Sequence, residues 1–224
     1  MVTALESKAA LSLVADASVR DAQKLLSVVE GSFEERRLQL LDNVPGLISY
    51  YADGAAALAA DFYDDERALW EVPDYQAVPV VEDRVVKIRR AIAWASDPLQ
   101  VDDFEMASSR LAEVVHLETA RPYRDTILAN RRADNKCIGW QRNTTGGCKL
   151  CRMLADRGAV YKESTAQFAA HSHCKCTAQP VFLHGPDGPE ASVIQYVASQ
   201  RKRSPAHRKM VRDYLNANYE DFHG

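Results

Sequence analysis

The spacing of apolar side chains near the start of the chain predicts two consecutive helices. Residues 4–30 are rich in Ala and Leu and are followed by Gly31, a residue type that commonly ends a helix. Ser32 comes next, with Glu35 three residues later, which is the pattern of a capping box. A second helix is therefore expected to begin at Ser32, and we expect it to end near Asp42–Asn43.

The positions of proline guide the interpretation of the following segment. Pro45 suits the first turn of a helix, so residues 46–70 are predicted to form a further helix with a weak point at Gly54. Residues 71–80, EVPDYQAVPV, place prolines among apolar residues and predict a loop.

Residues 81–95 show the most regular helical pattern. Asp97 and Pro98 are expected to end this helix. Residues 101–130 predict another helix, which Pro122 is expected to kink or interrupt. The apolar residues of the first of these helices recur at steps of four and three, on one face: Val81, Val85, Ile88, Ile92 and Ala95.

The pattern changes after Asn135. Short apolar runs in GAVY, QFAAH and TAQPVFLH predict short strands and turns, and the tail predicts two short helices separated at Ser204–Pro205. We therefore predict a mainly α protein with a helical N-terminal domain over residues 1–135, a small α+β module over residues 136–185 and a basic helical tail over residues 186–224.

Composition and charge narrow the class of protein. Charged residues make up 26% and hydrophobic residues 46%, which is typical of a globular protein. No apolar run approaches the roughly 20 residues of a membrane span, and the first residues lack the order of a secretory signal, so we expect a cytoplasmic protein. Residues 1–118 hold 11 Lys and Arg against 22 Asp and Glu, whereas residues 119–224 hold 17 against 9. The two halves are expected to present different surfaces to partners.

Four of the five cysteines lie in one segment, CKLCRMLADRGAVYKESTAQFAAHSHCKC, which begins at Cys148 and ends at Cys176. Thiols stay reduced in a cytoplasm, so this clustering favours a metal site over disulfides. The spacing of Cys148 and Cys151 would, in a tight turn, direct both sulfurs to one point. A second group of candidate ligands follows in HSHCKC: His171, His173, Cys174 and Cys176.

Sulfur and imidazole ligands that close a tetrahedron are typical of structural zinc. The preferred ligand set is Cys148, Cys151, His171 and Cys174, and alternative sets replace His171 or Cys174 with Cys176. A strand-and-turn segment of this size buries too little surface to fold alone. We therefore expect a zinc-bound α+β module that is stabilised by a structural Zn²⁺. Reduced, buried cysteines or a disulfide formed outside the cell are the other interpretations. Cys137 is expected to be an ordinary core or surface thiol.

The combination of GWQRNTTGGCKLCRMLADRGAVY with HSHCKCTAQPVF resembles a family of tailed-phage head morphogenesis proteins, similar to the Mu F-type minor head proteins. In phages of actinobacteria such proteins are labelled capsid maturation proteases. The resemblance is strongest over residues 139–183. It implies metal binding, or integrity of the small domain, for the motif positions Cys148, Cys151, His171, His173, Cys174 and Cys176.

The same resemblance implies a portal-associated minor capsid protein. Its partners would be the phage portal and the capsid or scaffold proteins. It would be made in the host cytoplasm and then carried in the virion, inside the head near the portal.

A capsid maturation protease is the alternative function, but the residues give it little support. The sequence has neither His-Glu-x-x-His nor Gly-x-Ser-x-Gly. His116 lies about two turns from Ser108 and Ser109 on one predicted helix, so it is expected to be a surface or core histidine. The clustered Cys and His could supply a thiolate–imidazole pair, but neighbouring thiols would bind zinc first.

Basic residues concentrate near the end of the chain. Such a cluster can neutralise phosphates or contact an acidic portal surface, whereas a solvated helical tail is the simpler interpretation. A DNA-binding zinc-module protein, with phage DNA as partner, is therefore a further alternative. The candidate contacts are Arg201, Lys202, Arg203, Arg208, Lys209 and Arg212.

Overall fold

A computed structural model describes residues 2–72, 75–144, 148–158, 168, 176–182 and 204–220 of the 224-residue chain. Of these residues, 73% are helical, which confirms the prediction of a mainly α protein with a small sheet. The α-helices are α1 (Ala4–Val28), α2 (Phe33–Leu69), α3 (Val85–Ser96), α4 (Phe104–Ala133), α5 (Lys149–Ala155) and α6 (Pro205–Asn218), a 3₁₀ helix covers Asp97–Val101, and the strands are β1 (Gly139–Asn143) and β2 (Thr177–Val181).

The chain divides into two compact units. Val2–Phe62 and Ala77–Thr126 form one, which we call the helical unit. Tyr63–Gln76 and Ile127–Gly224 form the other, which we call the sheet unit. The predicted domain limits at residues 135 and 185 stay a prediction, since residue 185 and its neighbours lie outside the described ranges.

The capping box at the start of α2 forms as predicted. The Ser32 N–H donates to Glu35 Oε2 at 2.8 Å, and the Glu35 N–H donates to Ser32 Oγ at 3.3 Å. Gly31, just before it, has a φ of 98°, a left-handed conformation that a side chain would strain. The capping box and Gly31 together fix the turn between α1 and α2.

Helix α2 continues through Pro45, so the predicted end near Asp42–Asn43 is wrong. A proline has no N–H, which leaves the Leu41 carbonyl without its usual helical donor. Arg89 of α3 replaces that donor, because its Nη1 donates to Leu41 O at 2.7 Å. The same guanidinium lies 3.7 Å from the Asp42 carboxylate. A neighbouring helix therefore supplies the hydrogen bond that the local sequence lacks.

Helices α3 and α4 differ from their predicted starts. Helix α3 begins at Val85 rather than at residue 81, because its N-cap residue, Arg84, has a non-helical backbone, and Asp83 Oδ1 accepts the Val85 N–H at 3.0 Å. Its end at Ser96 agrees with the stop expected from Asp97 and Pro98. Helix α4 starts at Phe104 rather than at residue 101 and runs through Pro122, so the interruption expected there does not occur.

The core of the helical unit is formed by side chains of α1, α2, α3, the 3₁₀ helix and α4. Two buried hydroxyl pairs add polar links between α1 and α4: Ser18 with Thr119 at 3.0 Å, and Ser7 with Tyr123 at 2.7 Å. None of the described helices has both the length and the hydropathy of a membrane span. The buried apolar core includes Leu26, Leu40, Val44, Ile48, Ile92, Leu99, Leu111 and Val115.

The two strands pair antiparallel, with Gly139 opposite Val181 and Asn143 opposite Thr177. Strand β2 lies within the predicted run TAQPVFLH, which confirms that prediction. Strand β1 was not predicted, and α5 forms where a tight turn was expected. GAVY and QFAAH lie outside the described residues, apart from Gly158 and Phe168, and so does the first predicted tail helix.

Candidate functional site

The site is built on one face of the two-stranded sheet. Trp140 and Arg142 are two residues apart on β1, so their side chains lie on the same face of the strand. Both are buried, and the ring of Phe168 covers them. The Trp140 and Phe168 ring centroids are 5.5 Å apart, and the Arg142 guanidinium lies 3.9 Å from the Phe168 centroid. These contacts form an aromatic wall beside the cysteines.

The first cysteine pair marks the beginning of α5. Cys148 is the N-cap residue and is exposed, whereas Cys151 lies in the first turn and is 2% exposed. The helix is only 7 residues long, and its buried side comprises Cys151, Met153 and Leu154. The cysteine pair is therefore presented by a helix start and not by a loop.

Cys176 directly precedes β2 and is also 2% exposed. It packs against Cys151, and Phe168 packs against both. The tertiary structure thus brings together two thiols that are far apart in the sequence.

The predicted ligands divide into two groups. Cys148, Cys151 and Cys176 are described, and they form no disulfide with one another. His171, His173 and Cys174 lie outside the described ranges. Among the residues that the structure describes, no group of three or more His, Cys, Asp or Glu side chains is placed to hold a metal ion. The aromatic wall was not predicted from the sequence. The available signal was the spacing of Trp140 and Arg142, which are two residues apart and therefore lie on one face of a strand.

The opposite face of the sheet carries a ladder of amides. Gln179 Oε1 accepts from Gln141 Nε2 at 2.8 Å and from Asn143 Nδ2 at 2.9 Å. Gln179 Nε2 in turn donates to Glu66 Oε1 at 2.9 Å. Burial raises the pKa of Glu66 above its ordinary value, although the Gln179 amide opposes the shift. The ladder ties the end of α2 to the sheet.

A buried ion pair reinforces this unit. Arg67 Nε donates to Asp134 Oδ2 at 2.7 Å and Nη2 donates to Oδ1 at 3.3 Å. The Tyr63 hydroxyl and the Lys136 N–H also donate to this carboxylate, at 3.2 and 2.9 Å. Burial alone would raise the pKa of Asp134, but the Arg67 guanidinium and the other donors hold it below its ordinary value.

Cys137 and His116 occupy core positions, which is one of the two placements, core or surface, expected for each. Cys137 is buried, and its thiol donates to Gly139 O at 3.2 Å. Burial raises the pKa of the Cys137 thiol. His116 is buried in α4, and Ser108 of the same helix accepts a hydrogen bond from Gln23 Nε2 at 3.0 Å.

Helix α6 packs on α5. Val211 is its buried residue, and Lys149 Nζ donates to Asn216 Oδ1 at 3.1 Å. The Tyr219 hydroxyl donates to Asp156 Oδ2 at 3.0 Å. The candidate basic contacts of this helix, Arg208, Lys209 and Arg212, are exposed, while Arg201, Lys202 and Arg203 lie beyond the described residues.

A model of the VG15 protein family matches residues 2–200, which is most of the chain. No curated protein and no solved structure matches it. Since the match includes both the helical region and the cysteine segment, the chain belongs to the VG15 protein family, a family of viral proteins, and this indicates a phage protein.

Proposed function

We propose that this chain is a portal-associated minor protein of a phage head whose small module is stabilised by a structural Zn²⁺. Membership of a viral protein family supports the phage context. The resemblance of residues 139–183 to Mu F-like head morphogenesis proteins supports the role in the head. The observation that carries the zinc proposal is the buried contact between Cys151 of α5 and Cys176, which directly precedes β2.

The residues fit a structural site better than a catalytic one. Two buried thiols and a third at the start of α5 offer soft ligands from two separate elements. A Zn²⁺ held by Cys148, Cys151 and Cys176 would tie α5 to the sheet, and His171, His173 or Cys174 would complete the ligands. The burial of Cys176 beside Cys151 supports the alternative set that includes Cys176 over the preferred one.

Metal content of the purified chain tests the proposal. We expect one zinc per chain in the wild type and none after Cys148→Ser combined with Cys151→Ser. Cys137→Ser is the matched control, because Cys137 is a buried thiol of the same unit outside the cluster. Loss of zinc in the control, or none in the wild type, would refute the assignment.

Trp140 can report whether the metal stabilises the module. It is 1% exposed beside Phe168, whereas Trp70 and Trp94 are 45% and 44% exposed and can be replaced by Phe. In that background we expect chelation to expose Trp140 to water and shift its fluorescence to longer wavelength, while helical circular dichroism from α1–α4 persists. Unchanged fluorescence after complete zinc removal would argue against a structural role.

Complementation tests the role in the head. In the phage that encodes the chain, loss of the gene should yield defective heads that wild-type protein rescues and the double cysteine variant does not. A folded, zinc-loaded Cys176→Ser variant that leaves head proteins uncleaved would favour the protease alternative instead. The DNA-binding alternative would be favoured if the chain bound DNA in a salt-sensitive way and lost this binding on neutralisation of Arg208, Lys209 and Arg212.

A further inference from the structure

A cavity of about 310 Å³ lies in the helical unit beside both mid-helix prolines. Pro45 of α2 and Pro122 of α4 contribute to its wall. Its apolar lining includes Ile48, Ala52 and Ile88. The volume is at the lower end of the range that ligand sites occupy, so it suits one or two side chains.

The charges that line the cavity do not cancel. Arg84 Nε and Nη2 donate to the two carboxylate oxygens of Glu118 at 2.8 and 3.1 Å, which balances these two groups. Glu82 and Asp83 also line the cavity, and Asp83 is engaged only with the Val85 N–H among the contacts described. Lys87 lies on the same helix start but is not part of the lining. The lining therefore keeps an excess of negative charge.

Exposed valines belong to the cavity lining, and two more lie close to them in the sequence. Val81 and Val85 line it and are 42% and 44% exposed. Val78 and Val86, close in sequence, are 61% and 58% exposed. Contiguous exposed apolar surface marks interaction sites, and Val81 and Val85 are exposed side by side in this lining. A small amine could fill the cavity but could not cover these valines, which favours a polypeptide segment.

We propose that this cavity binds a segment of a partner protein in which a Lys or Arg side chain stands beside apolar side chains. The aliphatic part of the basic side chain would pack on Ile48 and Ile88, and its cation would meet Glu82 and Asp83. The neighbouring apolar side chains of the segment would cover the exposed valines. The opposite charges give the site its preference for a basic over an acidic segment.

Peptide titration of the full chain tests the proposal. The probe is the acetylated and amidated peptide ALKALLKA, and the matched probe carries Glu in place of both Lys residues. Methyl resonances of Ile48, Ile88, Val81 and Val85 should shift with the basic peptide, and the affinity should fall as salt rises. The proposal would be overturned if the acidic peptide bound as tightly as the basic one, or if only resonances of other residues shifted. It would also be overturned if free hexylamine occupied the cavity as well as the basic peptide does.

Two variants and one matched control separate the effect of charge from the effect of shape. Glu82→Gln with Asp83→Asn should weaken binding of the basic peptide at least tenfold, and Asn can still accept the Val85 N–H. Glu34→Gln with Asp53→Asn removes the same charge from exposed sites of this unit and should leave binding unchanged. Ser49→Trp should fill the cavity and abolish binding, while circular dichroism stays that of the wild type. Undiminished binding by the folded Ser49→Trp variant would sink the assignment.

Discussion

The substitution Asp134→Asn should destabilise the sheet unit by about 3–5 kcal/mol, because it removes the carboxylate that forms two hydrogen bonds with the buried Arg67 cation. The two side chains are 4% and 2% exposed, so water cannot replace the lost carboxylate. Asn keeps the shape of Asp and one acceptor, which limits steric effects. The guanidinium would remain 5.2 Å from the Tyr75 ring and 5.6 Å from the Phe182 ring, which only partly offset its charge.

Urea unfolding followed by Trp140 fluorescence measures this loss. The background carries Phe in place of Trp70 and Trp94, so the signal reports the sheet unit. Asp213→Asn is the control, because its pair with Lys209 lies on the exposed face of α6, with side chains 69% and 53% exposed. Exposed pairs contribute within about 0.5 kcal/mol. We expect a large change in midpoint for the buried pair and almost none for the control.

A double-mutant cycle and a pH series decide whether the charge is the cause. Arg67→Met combined with Asp134→Leu should cost less than the two single changes added, since no charge is then left buried. The pKa of Asp134 is lower in the folded protein than in the unfolded chain, where it is about 3.9. Its contribution to the free energy of unfolding is therefore complete above the unfolded pKa and is lost as the pH falls through the lower folded pKa. The reasoning fails if Asp134→Asn costs less than about 1 kcal/mol, or if its effect persists unchanged in acid.

Three further changes probe separate features. Arg89→Met should cost about 1 kcal/mol by removing the donor to Leu41 O, and Pro45→Ala, which restores a local N–H, should cancel that cost in thermal unfolding. Glu66→Gln should stabilise the chain at neutral pH, because burial raises the pKa of this carboxyl group and so makes its ionised form unfavourable in the folded protein. The gain should vanish below about pH 4, where Glu66 is protonated in both the folded and the unfolded state. Ser32→Ala should cost about 1 kcal/mol in urea unfolding by removing the cap of α2.

Each of these has a matched comparison. Arg90→Met removes a neighbouring cation of α3 and should be close to neutral. Asp61→Asn, at an exposed carboxylate of the same helix, should lack the stabilising effect at neutral pH. Ser27→Ala alters a serine within α1 and should cost less than Ser32→Ala, because its hydroxyl donates to Lys24 O of its own helix. Equal effects in a pair would show that the named contact is not the cause.

Local sequence was sufficient wherever the deciding contacts are local. The capping box of Ser32 and Glu35 satisfies its own N–H groups within one turn, so the start of α2 could be read directly. Ser204 Oγ caps α6 by accepting the His207 N–H, and Asp97 with Pro98 ends α3. Strand β2 has the apolar run that such an element needs. In each case the signal and its effect lie within four residues.

Tertiary structure decided the features whose partners are distant in the chain. The continuity of α2 through Pro45 depends on Arg89, and no local pattern could show that its guanidinium would meet the Leu41 carbonyl. Helix α5 has no side-chain cap, so it carries no start signal, and β1 is polar and becomes a strand by pairing with β2. The sequence placed Cys151 and Cys176 among the candidate ligands. Their contact arises only because α5 and the start of β2 pack together, since packing joins residues that chain order separates.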